Sequence, residues 1–437
     1  MKIEQIRKRD GSMQAFSLDK IAAAVAKAFK ETSAGSKEAA DAVAAKVHEK
    51  AVAMCVRAGT AESDSPQARK CAQGVPTVEE MQDLVEQVLM EMDFFDTAKA
   101  YIIYRSKRKE MRERDIFAKR TSLKPYEYPE LAEYVDAVRH SYWIHTEFNY
   151  VSDVHDFKVN ITDSEREAIK KTMLAIAQIE VAVKTFWGNL YSKMPKPEVG
   201  AVGFTFAESE VRHMDAYSHL LEVLGLNAEF DKLTEVPVIK ERISYLEKTI
   251  ALSKTGSNRD YTQSVLLFSL FIEHVSLFSQ FIIMMSFNKH KNLFKGISNV
   301  VEATSKEEQI HGMFGTELIN IVKKEHPEWF DREADAMVQA MCHEAYAAEE
   351  KIVDWIFEAG ELDFLPKAVV KEFIKSRLNK SLKGIGMTPV FELDEKLVEE
   401  TDWFDEEVIA TKHVDFFQKR SINYNKRSNS VTSADLF

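Results

Sequence analysis

Glycine and proline are scarce in this sequence, at 15 and 10 among 437 residues. So few turn-makers exclude a fold of many short strands and favour long helices, so the predicted fold class is mainly α. Cysteine is scarcer still. Cys55, Cys71 and Cys342 form no CxxC pair, which argues against a disulfide-built scaffold or a thiolate zinc site and suggests a reducing cytoplasm. Positive charge is in deficit, with 58 Lys and Arg against 70 Asp and Glu and a net charge of −12. That excludes nucleic acid as a main partner, although local basic patches remain. The opening MKIEQIRKRDG has no apolar signal-peptide core. The rest, 45% hydrophobic and 29% charged, describes an ordinary globular protein long enough for two or three domains.

One apolar run, Val265–Phe287, is long enough to span a membrane, but Glu273, His274 and Gln280 fall in its middle. A charge facing lipid there is costly, so the run is predicted to be a buried bundle helix. No membrane partner is expected.

The informative stretch is FAESEVRHMDAYSHL, from Phe206 to Leu220. Read as a helix, Phe206, Glu210, His213, Tyr217 and Leu220 share one face, and its apolar ends mark that face as buried. A carboxylate and an imidazole on a core stripe cost several kcal/mol unless compensated, and a metal ion compensates them best. The pattern returns in Ile297–Leu318, where Ile297, Val301, Thr304, Glu308, His311, Gly315 and Leu318 keep the same rhythm. Of the 12 histidines, His213 and His311 alone follow a Glu by three residues. Glu180 stands on a stripe with Ile169, Met173, Ile176, Val183 and Trp187, and Glu273 on one with Leu266, Leu270, Leu277 and Phe281. Four helices thus each turn one Glu inward and two add a His, the arrangement known from ferritin-like dimetal carboxylate bundles. Four carboxylates and two neutral imidazoles balance two divalent cations, and oxygen and nitrogen donors suit Mn or Fe. The competing reading, misphased surface carboxylates, must fail to explain six residues in register on four helices.

The first hundred residues read differently. IEQIRKRDGSMQAF has the form of a hairpin turning at Asp10-Gly11, followed by an Ala-rich helix with a cap expected at Ser17. A polar loop spans Arg57–Gly74, and Thr77 to Glu80 form a capping box. The stretches KRDG (from Lys8), FSLDKI (from Phe16), TVEEMQDLVEQVLME (from Thr77) and AKAYIIYR (from Ala98) resemble an ATP-cone. This is the nucleotide-binding regulatory domain of ribonucleotide reductases. The resemblance places Ile6, Lys8, Arg9 and Lys20 against ATP or dATP, where Lys and Arg can neutralise phosphate. A basic run, Arg105–Arg120, reads as a helix end and linker.

From about residue 125 onward the chain resembles the small, radical-generating subunit of class I ribonucleotide reductase. The carriers are Trp143 with Glu147, Glu180, EVRHMDAY (Glu210–Tyr217), Glu273 and KEEQIH (Lys306–His311). The resemblance implies a homodimer whose dimetal centre activates O₂ or a reduced oxygen species. The oxidising equivalent would pass outward by Trp143 and Tyr424 to a separate large subunit, on which the C-terminal tail, ending in ADLF, docks. That subunit would reduce ribonucleotides to deoxyribonucleotides, with ATP or dATP on the cone setting activity through oligomer state. The implied domains are 1–105 (ATP-cone), 106–125 (linker), 126–400 (ferritin-like dimetal domain) and 401–437 (tail). Two positions depart from the pattern. Glu180 is commonly Asp in tyrosyl-radical members and Glu in manganese-containing ones, and Glu307 stands where the radical relay often has Asp. These favour a dimanganese centre, with Tyr217 a core aromatic hydrogen-bonded near the metals. A di-iron centre with a Tyr217 radical is the alternative. Another dimetal oxidase, a manganese catalase, a nucleotide sensor and a ferritin-like store stay open, and Trp143 also reads as a packing aromatic.

Overall fold

The computed structural model describes residues 3–8, 11–60, 71, 75–181, 183–254 and 256–410. The chain divides into two compact units, Met1–Arg114 and Asp115–Phe437.

In the first unit, β1 (Gln5–Arg7) pairs antiparallel with β2 (Met13–Ala15), Ile6 facing Gln14. Gly11 takes φ +83° in the turn between them, a conformation that a Cβ would strain. The helices α1 (Leu18–Thr32), α2 (Lys37–Thr60), α3 (Val78–Glu91) and α4 (Phe95–Glu113) follow. Thr77 and Glu80 form the reciprocal capping box expected for α3. Ser17 stands at the start of α1, but its side chain makes no capping bond. Val25, Phe29, Val43, Val47, Leu84 and Val88 build the core.

Two expectations need correction here. The sulfurs of Cys55 and Cys71, 16 residues apart in sequence, lie within bonding distance. The cysteines therefore no longer argue for a reducing compartment; among the described residues only Cys342 is free, and it is buried. The basic run from Arg105 is also not a linker throughout. Helix α4 continues to Glu113, and Arg105 binds Glu79, Asp83 and Glu86 of α3 at 2.5, 2.5 and 2.8 Å. Ile116 already belongs to the core of the second unit, and its N–H donates to Glu325.

The second unit is a helical bundle. Its main elements are α5 (Pro129–His140), α6 (Asp163–Glu180), α7 (Pro197–Leu224) and α8 (Pro237–Ser253). Then come α9 (Asn258–Leu267), a π-helical segment Phe268–Ser276, and α10 (Phe278–Lys291) as one continuous stretch. The bundle is completed by α11 (Lys295–Glu325), α12 (Arg332–Ile356) and α13 (Lys367–Gly384). Local chemistry sets the ends: Thr162 and Glu165 form a capping box for α6, Pro197 opens α7, and Gly225 closes it at φ +74°. Asn258–Lys291 is the one described stretch long and apolar enough to cross a membrane, and 94% of its apolar window is buried in the protein. It is a core element.

The π-helical turns were not foreseen, since Glu273 was placed by regular α spacing. Helix α11 packs closely on them. A Cβ at Gly312 would come within 3.0 Å of His274, and one at Gly315 would collide with the Ser269 side chain. At the other end, Phe404 and Val408 are buried in the core, so the packed domain extends past residue 400. Arg9, Tyr424 and the terminal ADLF lie outside the described residues.

Gly315→Ala is expected to destabilise the bundle by about 1–3 kcal/mol through overpacking against Ser269. Urea unfolding of the variant should show the lower midpoint; an unchanged midpoint would mean the two segments do not pack this closely.

Candidate metal centre

Four elements bring six donors together. Helix α6 ends on Glu180, α7 carries Glu210 and His213, the π-helical segment carries Glu273, and α11 carries Glu308 and His311. All six are buried. Their donor atoms form two groups that share Glu308: Glu180, His213 and Glu308, and Glu210, Glu273, Glu308 and His311. Within each group the donors lie within 4.8 Å of one another. Glu308 spans the pair, with Oε1 2.9 Å from His213 Nδ1 and Oε2 3.2 Å from His311 Nδ1. Glu210 spans it too, at 3.4 and 3.0 Å from the same two nitrogens.

Both imidazoles turn Nδ1 into the cluster and anchor Nε2 outside it. His213 Nε2 lies 2.8 Å from Glu307 Oε2, and His311 Nε2 lies 3.1 Å from Ser209 Oγ. The Trp187 indole N–H donates to Glu273 Oε1 at 3.2 Å. Such outer bonds fix the orientation of metal-ligating groups.

The protein alone leaves the cluster unsatisfied. Both oxygens of Glu180, both of Glu210, one of Glu308 and His213 Nδ1 are buried without a hydrogen-bond partner among the described residues, a costly state. Burial drives Glu180 and Glu308 well above the usual carboxylate range, and neighbouring carboxylates add to the shift of Glu308. Burial also opposes charge on Glu210 and His311, but their attraction to each other, to His213 and to Glu273 outweighs it. Glu210 is held down at about 2 and His311 is raised to about 9. Burial thus favours the protonated forms of Glu180 and Glu308. The donor set, hard oxygens and two imidazoles without a thiolate, fits two divalent cations of the Mn or Fe type.

Residues 120–419 match the family model for the ribonucleotide reductase small chain. The chain belongs to the ribonucleotide reductase small-chain family. Residues 4–110 of this small chain match the ATP cone domain. It is 25% identical over 328 residues to a probable ribonucleoside-diphosphate reductase small subunit of Invertebrate iridescent virus 3, covering 72% of this chain and 86% of that one. Among solved structures, the fold resembles the ribonucleotide reductase R2 subunit from Clostridium botulinum (TM-score 0.59, 17% identity, 64% of this chain and 88% of that one). It also resembles dimanganese(II)-NrdF of Streptococcus sanguinis (TM-score 0.55, 14% identity, 65% and 99%). The ferritin-like helical bundle preceded by an ATP-cone is thus the fold of this reductase small subunit, an oxidoreductase component.

The remaining candidate residues of the small chain are placed as follows. Trp143 is 5% exposed and stacks on His213, ring centroids 5.8 Å apart and 17° from parallel. Its indole N–H has no hydrogen-bond partner. Tyr217 lies two helical steps beyond Glu210 and is fully buried; burial, then the nearby Glu180, push its hydroxyl well above the usual range. Thr304 lies beside its hydroxyl, although no hydrogen bond of good geometry forms among the described residues. Ile6 is half-buried in β1, whereas Lys8 and Lys20 are exposed after β1 and in the first turn of α1.

The sequence reading passed over Arg212. Its guanidinium donates to both Glu307 oxygens at 3.2 Å and to the Trp143 carbonyl at 3.0 Å. The visible signal, Glu208 four residues earlier, pointed instead to a surface pair, which also forms at 3.0 Å. Ser141 adds a third donor to Glu307 at 3.1 Å. A separate surface group, Asp115, Glu325 and His326, has similar donors, but Glu325 already accepts from the Ile116 N–H and the Tyr128 hydroxyl.

Because burial favours the protonated forms of Glu180 and Glu308, loading two divalent cations at pH 7 should release protons into weak buffer, and affinity should rise with pH. Glu308→Ala should lower bound metal to less than one per chain, since both groups use that residue. Metal uptake without proton release would contradict the charge balance.

Proposed function

We propose that Glu180, Glu210, His213, Glu273, Glu308 and His311 hold two metal ions and that this small subunit supplies an oxidising equivalent to a ribonucleotide reductase large subunit. The observation that carries the reading is the set of buried carboxylate oxygens, unpartnered and converging on two imidazoles. Two redox-active ions bound there would supply a one-electron oxidant stored away from water. The ions are taken as manganese, with iron as the alternative. Glu180 in the first ligand position favours manganese, and Tyr217 is a buried core aromatic rather than the radical holder.

The chain's own residues do the rest. Phe206, Phe314 and Trp187 pack around His311 and exclude water from that side. Arg212 and Ser141 hold Glu307 so that it accepts from His213 Nε2, and Trp143 lies flat against the same imidazole. An electron leaving Trp143 therefore has a short packed route inward through His213. Tyr424 and the tail beyond residue 410 would continue the route and dock on the large subunit. Self-association as a homodimer is supported by Phe204 and Val211, 60% and 41% exposed on one outer face of α7, and by exposed Val181. On the cone, Lys8, Arg9 and Lys20 with Ile6 would bind ATP or dATP and regulate activity; Lys8 and Lys20 are exposed, and the Gly11 N–H donates to the Lys8 carbonyl in the turn.

Low-temperature EPR and metal analysis on protein loaded separately with Mn(II) and Fe(II) test the centre. A coupled mixed-valent manganese signal, with activity once large subunit is added, is expected. A tyrosyl signal confined to the iron sample and lost together with activity in Tyr217→Phe would replace it with the iron reading. Trp143→Phe should keep two metals per chain yet lose at least about tenfold in reductase activity, one outer-shell contact being worth that much. Lys8→Ala with Lys20→Ala should weaken ATP binding by calorimetry and leave metal content unchanged.

A further inference from the structure

We propose that Arg377 and Ser381 of α13 are positioning residues: they hold the widened turn that aims Glu273, and Asp405 ties them to the C-terminal segment. The inference rests on the reading of Glu273 and Glu308 as metal ligands.

A π-helical turn re-pairs its amides and leaves carbonyls needing other donors. Here two carbonyls of the segment accept from side chains of a neighbouring helix in matching register. Ser381 Oγ donates to the Leu270 carbonyl at 3.0 Å, and Arg377 Nε donates to the His274 carbonyl at 2.7 Å. Leu270 and His274 are four residues apart, as are Arg377 and Ser381, so one face of α13 spans the turn that carries Glu273. His274 Nδ1 also lies 2.8 Å from Ser381 Oγ. From the far side, Arg242 Nη2 donates to the Ser276 carbonyl at 3.3 Å.

Arg377 reaches a second ligand helix as well. Its Nη2 donates to Gln309 Oε1 at 3.1 Å, and Gln309 follows Glu308 in α11. Its third arm lies 3.5 Å from Asp405 Oδ1, in the short helix Asp402–Asp405 near the end of the described chain. The guanidinium is 1% exposed and sits 3.5 Å over the Phe278 ring. A buried ion pair of this kind is weak evidence for stability, because desolvation offsets the attraction. One planar fork that bonds the residues next to two ligands is, by contrast, a device for geometry, and lysine cannot reproduce it.

The test uses the full chain titrated anaerobically with Mn(II), free Mn(II) being counted from its six-line EPR signal. Wild type should bind two ions. Arg377→Lys and Ser381→Ala should each stay helical by circular dichroism, bind one of the two ions about tenfold more weakly, and alter the bound-Mn spectrum. Asp405→Asn should shift affinity in the same direction by less. Val338→Ala, a core change in α12, should lower the melting temperature without moving affinity or spectrum. Wild-type affinity and spectrum in Ser381→Ala and in folded Arg377→Lys would overturn the proposal. Should Arg377→Lys fail to fold, Ser381→Ala decides alone, and an unaltered Asp405→Asn removes the link to the C-terminal segment. Failure of wild type to bind two ions would sink the ligand assignment itself, visible before any variant is compared.

Discussion

Six ionisable side chains converge in the middle of an apolar bundle, and the rest of the second unit is arranged around that uncompensated charge. Burial of this many carboxylates is unfavourable by several kcal/mol per unpaired group. Contact between the carboxylates and the two imidazoles meets part of that cost, and the groups are oriented from outside. Each imidazole is pinned from outside by Glu307 or Ser209, and Glu273 is pinned by Trp187. The free donor atoms are left aimed at one another. A chain that only needed stability would fill this space with leucine.

The same constraint explains the irregular helix. A regular turn at Phe268–Ser276 would change both the direction of Glu273 and the approach of α11, whose Gly312 and Gly315 sit against His274 and Ser269. The widened turn and the two glycines therefore work together. The carbonyls it exposes are taken up by α13 and by Arg242, so the outer helices also serve the centre.

Much of this was legible in the residues. The Glu-x-x-His spacing on two apolar stripes and the lone acids Glu180 and Glu273 located the cluster, because helical period translates directly into a shared face. Fold class and the N-terminal cone followed from scarce turn residues and from matching stretches. What escaped has physical reasons. The π-helical turns leave no mark in apolar periodicity, since all of their residues but His274 are buried whatever the pitch. Arg212 and Arg377 look like surface arginines until tertiary contacts bury them. No spacing rule brings Cys55 and Cys71 together across 16 residues. Domain limits drawn at 105 and 400 cut short helix α4 and left out the packed Phe404, because a basic or acidic run reads as solvated until its neighbours are known.

The central claim is that two cations, sharing Glu308, replace the protons of this cluster. The most direct measurement is anomalous diffraction at the manganese edge from crystals of the full chain grown with Mn(II). Two peaks are predicted, one bounded by Glu180, His213 and Glu308 and the other by Glu210, Glu273, Glu308 and His311. A cluster that stays free of anomalous density while metal appears elsewhere would contradict the account.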